Sequence, residues 1–277
     1  RFSVGDVFDQ NAYSHDPRGQ FLNWALMDTA TWDYPADTRG YTWGAALEAY
    51  WGAWALRAGS FLEPKEANGL LFDHHVARAH GDVVEVEHAH VWAGLAGRIR
   101  LMGYANHARM GDYRESLEAN PTAPDITATR REGRLKYGWG VSAEQALTAG
   151  LGAFVRAGWN DGRTETWAYT EVDRTVAAGL SLAGPSWGRP ADRLGLAALA
   201  NALSPDHRAY LAAGGVGFIV GDGRLNPGQE RIVEAYYALA TAPGLTVSLD
   251  AQRVENPAYN RDRGPVSIFA LRVHGQF

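Results

Sequence analysis

Two acidic pairs, Glu85 with Glu87 and Glu171 with Asp173, are the side chains most open to a catalytic reading, because two carboxylates flanking a sugar are the machinery of glycoside hydrolysis. In each pair the partners stand two residues apart, and on an extended strand such residues face the same way about 7 Å from one another. That separation does not distinguish an acid–base pair from carboxylates on the wet face of a strand beside compensating arginines. The chain has nine His, of which His74, His75, His80, His88 and His90 form the densest group. With no HExxH spacing and no Cys anywhere, they read as surface-loop imidazoles rather than metal ligands. The glycine-rich pieces GGVGFIVGDG, from Gly214, and GLGAFVRAGWNDG, from Gly150, lack the Lys-Ser/Thr of a phosphate loop and lead into no clear amphipathic helix. No catalytic residue, metal or cofactor is expected.

The chemistry is collective instead. Glu48, Arg57, Glu85, Glu87, Arg98, Arg100, Arg134, Lys136, Arg156, Glu171, Asp173, Glu234, Asp250 and Arg272 all fall on the polar side of segments whose other side is apolar. In GRLKYGWGVS, residues 133–142, Leu135, Tyr137, Trp139 and Val141 alternate with Arg134, Lys136, Gly138 and Gly140. In PVSIFALRVHGQF, residues 265–277, Phe269, Leu271 and Val273 alternate with Ala270, Arg272 and His274. Only an extended strand presents a period of two as two distinct surfaces.

Twelve such strands are predicted, the first over residues 2–9 and the last ending at Phe277. Their connections alternate short and long along most of the chain. Short ones fall near Gly52, Gly94, 143–149, 184–192 and 241–244; long ones cover 10–38, 63–81, 110–131 and 205–229. Two connections on the long side break the pattern: a tight hairpin at NDG, Asn160 to Gly162, and a modest link over 256–264. Short helices are predicted within 20–28 and in DYRESLE from Asp112, and the Ala-rich stretch 194–203 leaves helix open as an alternative to strand. No fixed-period repeat or low-complexity run marks a second domain, so residues 1–277 are expected to form one domain.

Composition narrows the class. The 26 Lys+Arg against 31 Asp+Glu, net −5, offer no basic surface to nucleic acid. No window of 18 apolar residues exists, so no helix is expected to span a membrane. The 32 Gly, 10 Trp and 12 Tyr suit a closed all-β barrel with aromatic girdles at two interfaces. Short turns at one rim and long loops at the other fit that layout and have no cause in a sandwich. If the apolar faces meet lipid, the charges must point into a water-filled lumen, since a charge on the lipid face costs about 2–4 kcal/mol at the midplane. A lumen lined by Arg and carboxylates can exchange hydrogen bonds with sugar hydroxyls, and Trp24, Trp32 and Tyr34 in the first long loop can stack on sugar faces.

Long runs of the chain resemble the carbohydrate-selective porins of the OprB type. They are FSVGDVFD from Phe2, SHDPRGQFLNWALMD from Ser14, WDYPADTRGYTWG from Trp32, GWNDGRTETWAYTEVDR from Gly158, HRAYLAAGGVGFIVGDG from His207 and NPAYNRDRGPV from Asn256. The resemblance covers essentially all 277 residues. It implies a bacterial outer-membrane barrel of sixteen strands that passes glucose and related sugars by facilitated diffusion, with no enzymatic step. The chain departs from the family by beginning at what looks like the middle of its pattern. Twelve strands plus an additional four would match, and closure with twelve would instead give a narrower pore.

The expected function is therefore a passive sugar channel, with residues 10–38 folded inward as the constriction and the wall charges selecting neutral polyols. Carbohydrate solutes and outer-membrane lipid are the expected partners, and monomer and trimer both stay open. A soluble carbohydrate-active β-protein, glycosidase or lectin, is the alternative, and a plugged structural or export-associated barrel a third reading. In a closed barrel the last strand would pair with residues 2–9 if the chain is complete, and with a strand outside this sequence if it is not.

Overall fold

The computed structural model describes residues 1–276. Its frame is one sheet of eleven strands in chain order, each antiparallel to the next: β1 (Gly44–Trp51), β2 (Trp54–Leu62), β3 (His80–Trp92), β4 (Leu95–Ala108), β5 (Arg134–Ala146), β6 (Leu151–Asn160), β7 (Arg174–Ala183), β8 (Arg193–Ala202), β9 (Glu230–Ala242), β10 (Leu245–Glu255) and β11 (Val266–Gly275). Most have the length a tilted strand needs to cross a bilayer. No helix among the described residues is long and apolar enough to cross a membrane.

The alternation read from the sequence decides which way each side chain points. In β5, Leu135, Tyr137 and Trp139 are exposed on one face while Lys136 and Ser142 are buried on the other. In β11, Phe269, Leu271 and Val273 are 81%, 68% and 65% exposed, a continuous apolar outer stripe. Exposed Trp43, Tyr137 and Trp139 gather toward the long-loop rim, and Trp51, Trp54 and Trp92 toward the short-turn rim, as two interfacial girdles would require. The Ala-rich stretch becomes β8, where Leu194 and Leu196 point outward and Gly195 and Ala197 inward.

Three expectations are corrected. Residues 2–9 do not form a strand: Phe2 makes a single isolated bridge with Thr42, Val4–Asp6 is a 3₁₀ turn, and Val4 and Phe8 are fully buried. Their apolar side chains pack against Phe61, Val83 and Met102 on the inner face of the sheet instead of meeting lipid. The strand count is accordingly eleven, and among the described residues β1 and β11 each pair with one neighbour only. The anticipated pairing of the last strand with residues 2–9 is not formed, and Phe277 lies outside the described residues. Thirdly, NDG is not a tight hairpin. The Asn160 amide donates to the carbonyls of Thr31 and Val172, both at 3.0 Å, and opens a long loop over 161–173 before β7 begins. With that loop restored, the connection between β6 and β7 joins the long side, and the two rims separate more cleanly than the sequence suggests.

The short helices form where caps allow. Asn23 accepts from the Ala25 amide at 3.0 Å to start α1 (Trp24–Met27), and Asp112 accepts from Glu115 at 3.0 Å to start α2 (Tyr113–Ala119). Ser204 caps α3 (Pro205–Ala212) in the same way.

Candidate functional site

Residues 1–43 run along the inner face of the sheet, and the wall charges hold them there. Arg156 of β6, fully buried, donates to the Asp9 carboxylate and to the carbonyls of Asp9 at 3.1 Å, Ser14 at 2.8 Å and Met27 at 3.2 Å. One guanidinium thus gathers three separate parts of the segment. Its planar fork of donors makes Arg the residue suited to that task. Glu85 of β3 accepts from the Asp9 amide at 2.8 Å, Glu144 of β5 from Ala12 at 2.6 Å and Glu234 of β9 from Asn23 at 3.0 Å, while Arg272 of β11 donates to the Pro17 carbonyl. Apolar contacts complete the attachment: Phe8 against Phe61 and Trp32, and Phe21 edge-on to Tyr236 at 4.9 Å. Glycines let the backbone come this close. A Cβ on Gly152 would sit 2.1 Å from the Tyr13 ring, and one on Gly158 would sit 2.2 Å from the Thr31 hydroxyl.

The loop over 161–173 folds against the same segment. The Asp33 carboxylate accepts from the amides of Trp167, Ala168 and Tyr169 at 2.6, 2.8 and 3.0 Å and lies 3.7 Å from the Lys136 ammonium. Lys136, fully buried, also reaches the carbonyls of Thr164 and Glu165 and the Thr166 hydroxyl.

At the end of that loop Asp173 and Glu171 meet His207 of α3, from the connection between β8 and β9, at 2.9 Å and 3.7 Å, and the His207 ring stacks on Tyr113 of α2 at 4.2 Å. Burial works against charge on this imidazole, yet the two carboxylates outweigh it and lift its pKa to about 9. The charged ring therefore ties three long loops together at neutral pH. A base whose pKa is raised on folding contributes fully below its ordinary value and loses that contribution as pH rises through the raised one. Amide exchange over residues 203–229, corrected for its intrinsic pH dependence, should accelerate between pH 8 and 10. In His207→Gln it should already be fast at pH 7; identical exchange in the two proteins at pH 7 would contradict the tie.

A second set of charges forms a ladder on the wall toward the short-turn rim. Register places Glu48 opposite Arg57, Arg57 opposite Glu85, Glu87 opposite Arg100 and Arg98 opposite Glu144. Arg57 pairs with Glu48 and Glu85 at 2.9 Å and with Glu87 at 3.3 Å; Arg100 pairs with Glu87 at 2.7 Å and Glu144 at 3.3 Å; Arg98 lies 3.4 Å from Glu144. Glu48 and Arg98 are exposed and Glu87 half-buried, whereas Arg57 and Arg100 are buried between their partners. Arg134 serves elsewhere, bound to Glu115 and the Thr129 carbonyl of the loop after β4.

Trp24 is 53% exposed and stacks on Tyr169 at 5.6 Å with 21° between the rings, while Tyr34 lies on Tyr169 at 4.3 Å. Trp32, by contrast, is 1% exposed, packed among Phe8, Tyr34 and Tyr104, and has no ring face left for a solute. Of the His group, His88 and His90 stand on the outer face near the short-turn rim, and His74 and His75 lie in the loop after β2. Asp9, Asp33, Glu144 and His207 are residues that the reading of alternation missed. Glu144 had a signal, because the β5 alternation continues through Ser142 into what reads as a short link; the others lie in loops, where no period marks a buried charge.

A sheet with an apolar outer face, charged inner face, aromatic rims and inward-folded loops on one side only is the wall of an outer-membrane channel barrel. The family described as carbohydrate-selective porin, OprB family, matches residues 1–277, and the chain belongs to it. It is accordingly a bacterial outer-membrane β-barrel protein of a family of channels rather than enzymes, which sets aside the soluble glycosidase or lectin alternative. No curated protein matches the chain. Among solved structures it is similar to Pseudomonas putida OprB at high pH, with 22% identity and a TM-score of 0.71 over 99% of this chain and 66% of that one. The low-pH structure of the same protein gives 18% identity and 0.51 over 85% and 55%. The outer-membrane channel DcaP of Acinetobacter baumannii gives 9% identity and 0.51 over 96% and 68%. The chain thus spans less than two thirds of the length of either Pseudomonas putida structure, and likeness at these identities speaks to the fold.

Proposed function

We propose that the protein is a channel for facilitated diffusion of glucose and related carbohydrates, with residues 1–43 as its constriction and the wall ladder as its selective surface. The observation that carries this reading is the attachment of that segment across the inner face by Glu85, Arg156 and Glu234, since a segment held on that face takes up space in the lumen of a closed barrel. The ladder of Glu48, Arg57, Glu87, Arg98, Arg100 and Glu144 suits neutral polyols. Each charge is already paired, so an ion gains little there, whereas a hydroxyl can donate to a carboxylate and accept from a guanidinium in passing. Many weak sites of this kind favour passage without trapping. Arg134, Lys136, Glu171 and Asp173 position the loops that frame the pore. In liposomes holding the purified protein, glucose should cause rapid swelling and a trisaccharide or a charged sugar acid should cause little. Equal rates for all three would contradict selection, and no swelling with glucose would overturn the channel.

A further inference from the structure

Beside the constriction lies a cavity of about 420 Å³, within the range of small-molecule sites. We propose that it is a docking subsite for the flat face of a hexopyranose, a proposal that rests on the channel reading above. Its wall includes Trp24, whose indole is held on one side by Tyr169 and is otherwise open. Around the same space stand Asn23, Gln252, Asn201 and Glu230, linked in pairs: Asn23 donates to Gln252 at 3.2 Å and Asn201 to Glu230 at 3.4 Å. Glu171 also lines it, 3% exposed, with one carboxylate oxygen 3.7 Å from the His207 ring.

The arrangement matches the two surfaces of a pyranose. Ring C–H groups form an apolar face that an indole can cover, and the equatorial rim carries hydroxyls for amides and carboxylates. An acyclic hexitol has the same hydroxyls and no fixed flat face. The cavity therefore favours glucose over sorbitol for a reason the paired wall ladder cannot supply. Two other cavities of similar size lie near this rim, one lined by Ala202, Arg208, Asn226 and Tyr259 and one by Val176, Leu199, Ile232 and Arg253, and neither has an indole in its lining.

The test uses the full chain in planar bilayers and liposomes, measuring glucose and sorbitol flux against concentration together with ion conductance. Wild type should saturate with glucose at a lower concentration than with sorbitol. Trp24→Ala should raise the half-saturating glucose concentration about three- to tenfold and shift the half-saturating sorbitol concentration much less. Trp24→Phe should recover much of the preference, and Gln252→Ala should weaken glucose without erasing its advantage over sorbitol. Unchanged glucose saturation in a Trp24→Ala protein that still conducts ions would overturn the subsite while leaving the channel standing. A wild type that conducts ions but passes no sugar would overturn the channel reading, and the subsite with it.

Discussion

Arg156→Leu is expected to raise single-channel conductance several-fold and to let trisaccharides swell liposomes nearly as fast as glucose. The guanidinium is fully buried and holds Asp9, Ser14 and Met27 at once, so its removal frees three points of the inner segment together. It also strands the Asp9 carboxylate beside Glu85, whose own charge then faces it with one cation fewer nearby. Breaking a buried pair by deleting one partner costs about 3–5 kcal/mol. The strands keep their ladder hydrogen bonds in this variant, so the cost falls on the segment and not on the wall. Arg156→Lys should lie between, keeping the charge and losing the fork that reaches several carbonyls.

The second large effect is expected at Asp33. In Asp33→Ala the amides of Trp167, Ala168 and Tyr169 lose their acceptor in a buried setting, and Lys136 loses its nearest carboxylate. Each orphaned donor costs about 1–3 kcal/mol and the unpaired ammonium adds to that. Chemical denaturation in detergent should show a lower midpoint, with residues 161–173 exposed to protease before the strands unfold. Combining Asp33→Ala with Lys136→Met should recover part of the loss, because the stranded charge goes while the amides remain unpaired. An additive double variant would mean that the two side chains do not act as a pair.

The strands were legible because lipid on one side and water or packed loop on the other impose a period of two on every residue between. Leu135 to Val141 and Phe269 to Val273 show it directly. The inner segment was not legible for the corresponding physical reason. It packs irregularly against the wall and against the loop over 161–173, so Val4, Phe8, Phe21 and Trp32 are buried with no common spacing, and Phe2 and Val4 imitate a strand by chance. NDG misled in the same way, since Gly162 does adopt a left-handed φ of 57° but turns the chain into a loop rather than into a hairpin. The candidate wall residues could be named from alternation. Their division into a paired ladder and a set of anchors depends on contacts separated by more than a hundred residues, such as Arg156 with Asp9, which no local pattern records.

Because the chain contains no Cys, one engineered pair can ask whether residues 1–43 form the constriction. Asn11 and Ser142 touch through a 3.1 Å hydrogen bond between segment and wall, so Asn11→Cys with Ser142→Cys can close a disulfide there. Placed in the Arg156→Leu background, the pair should return single-channel conductance toward the wild-type level when oxidised and release it again when reduced. A conductance that is high in both states, or already wild-type in both, would show that the segment does not set the width of the pore.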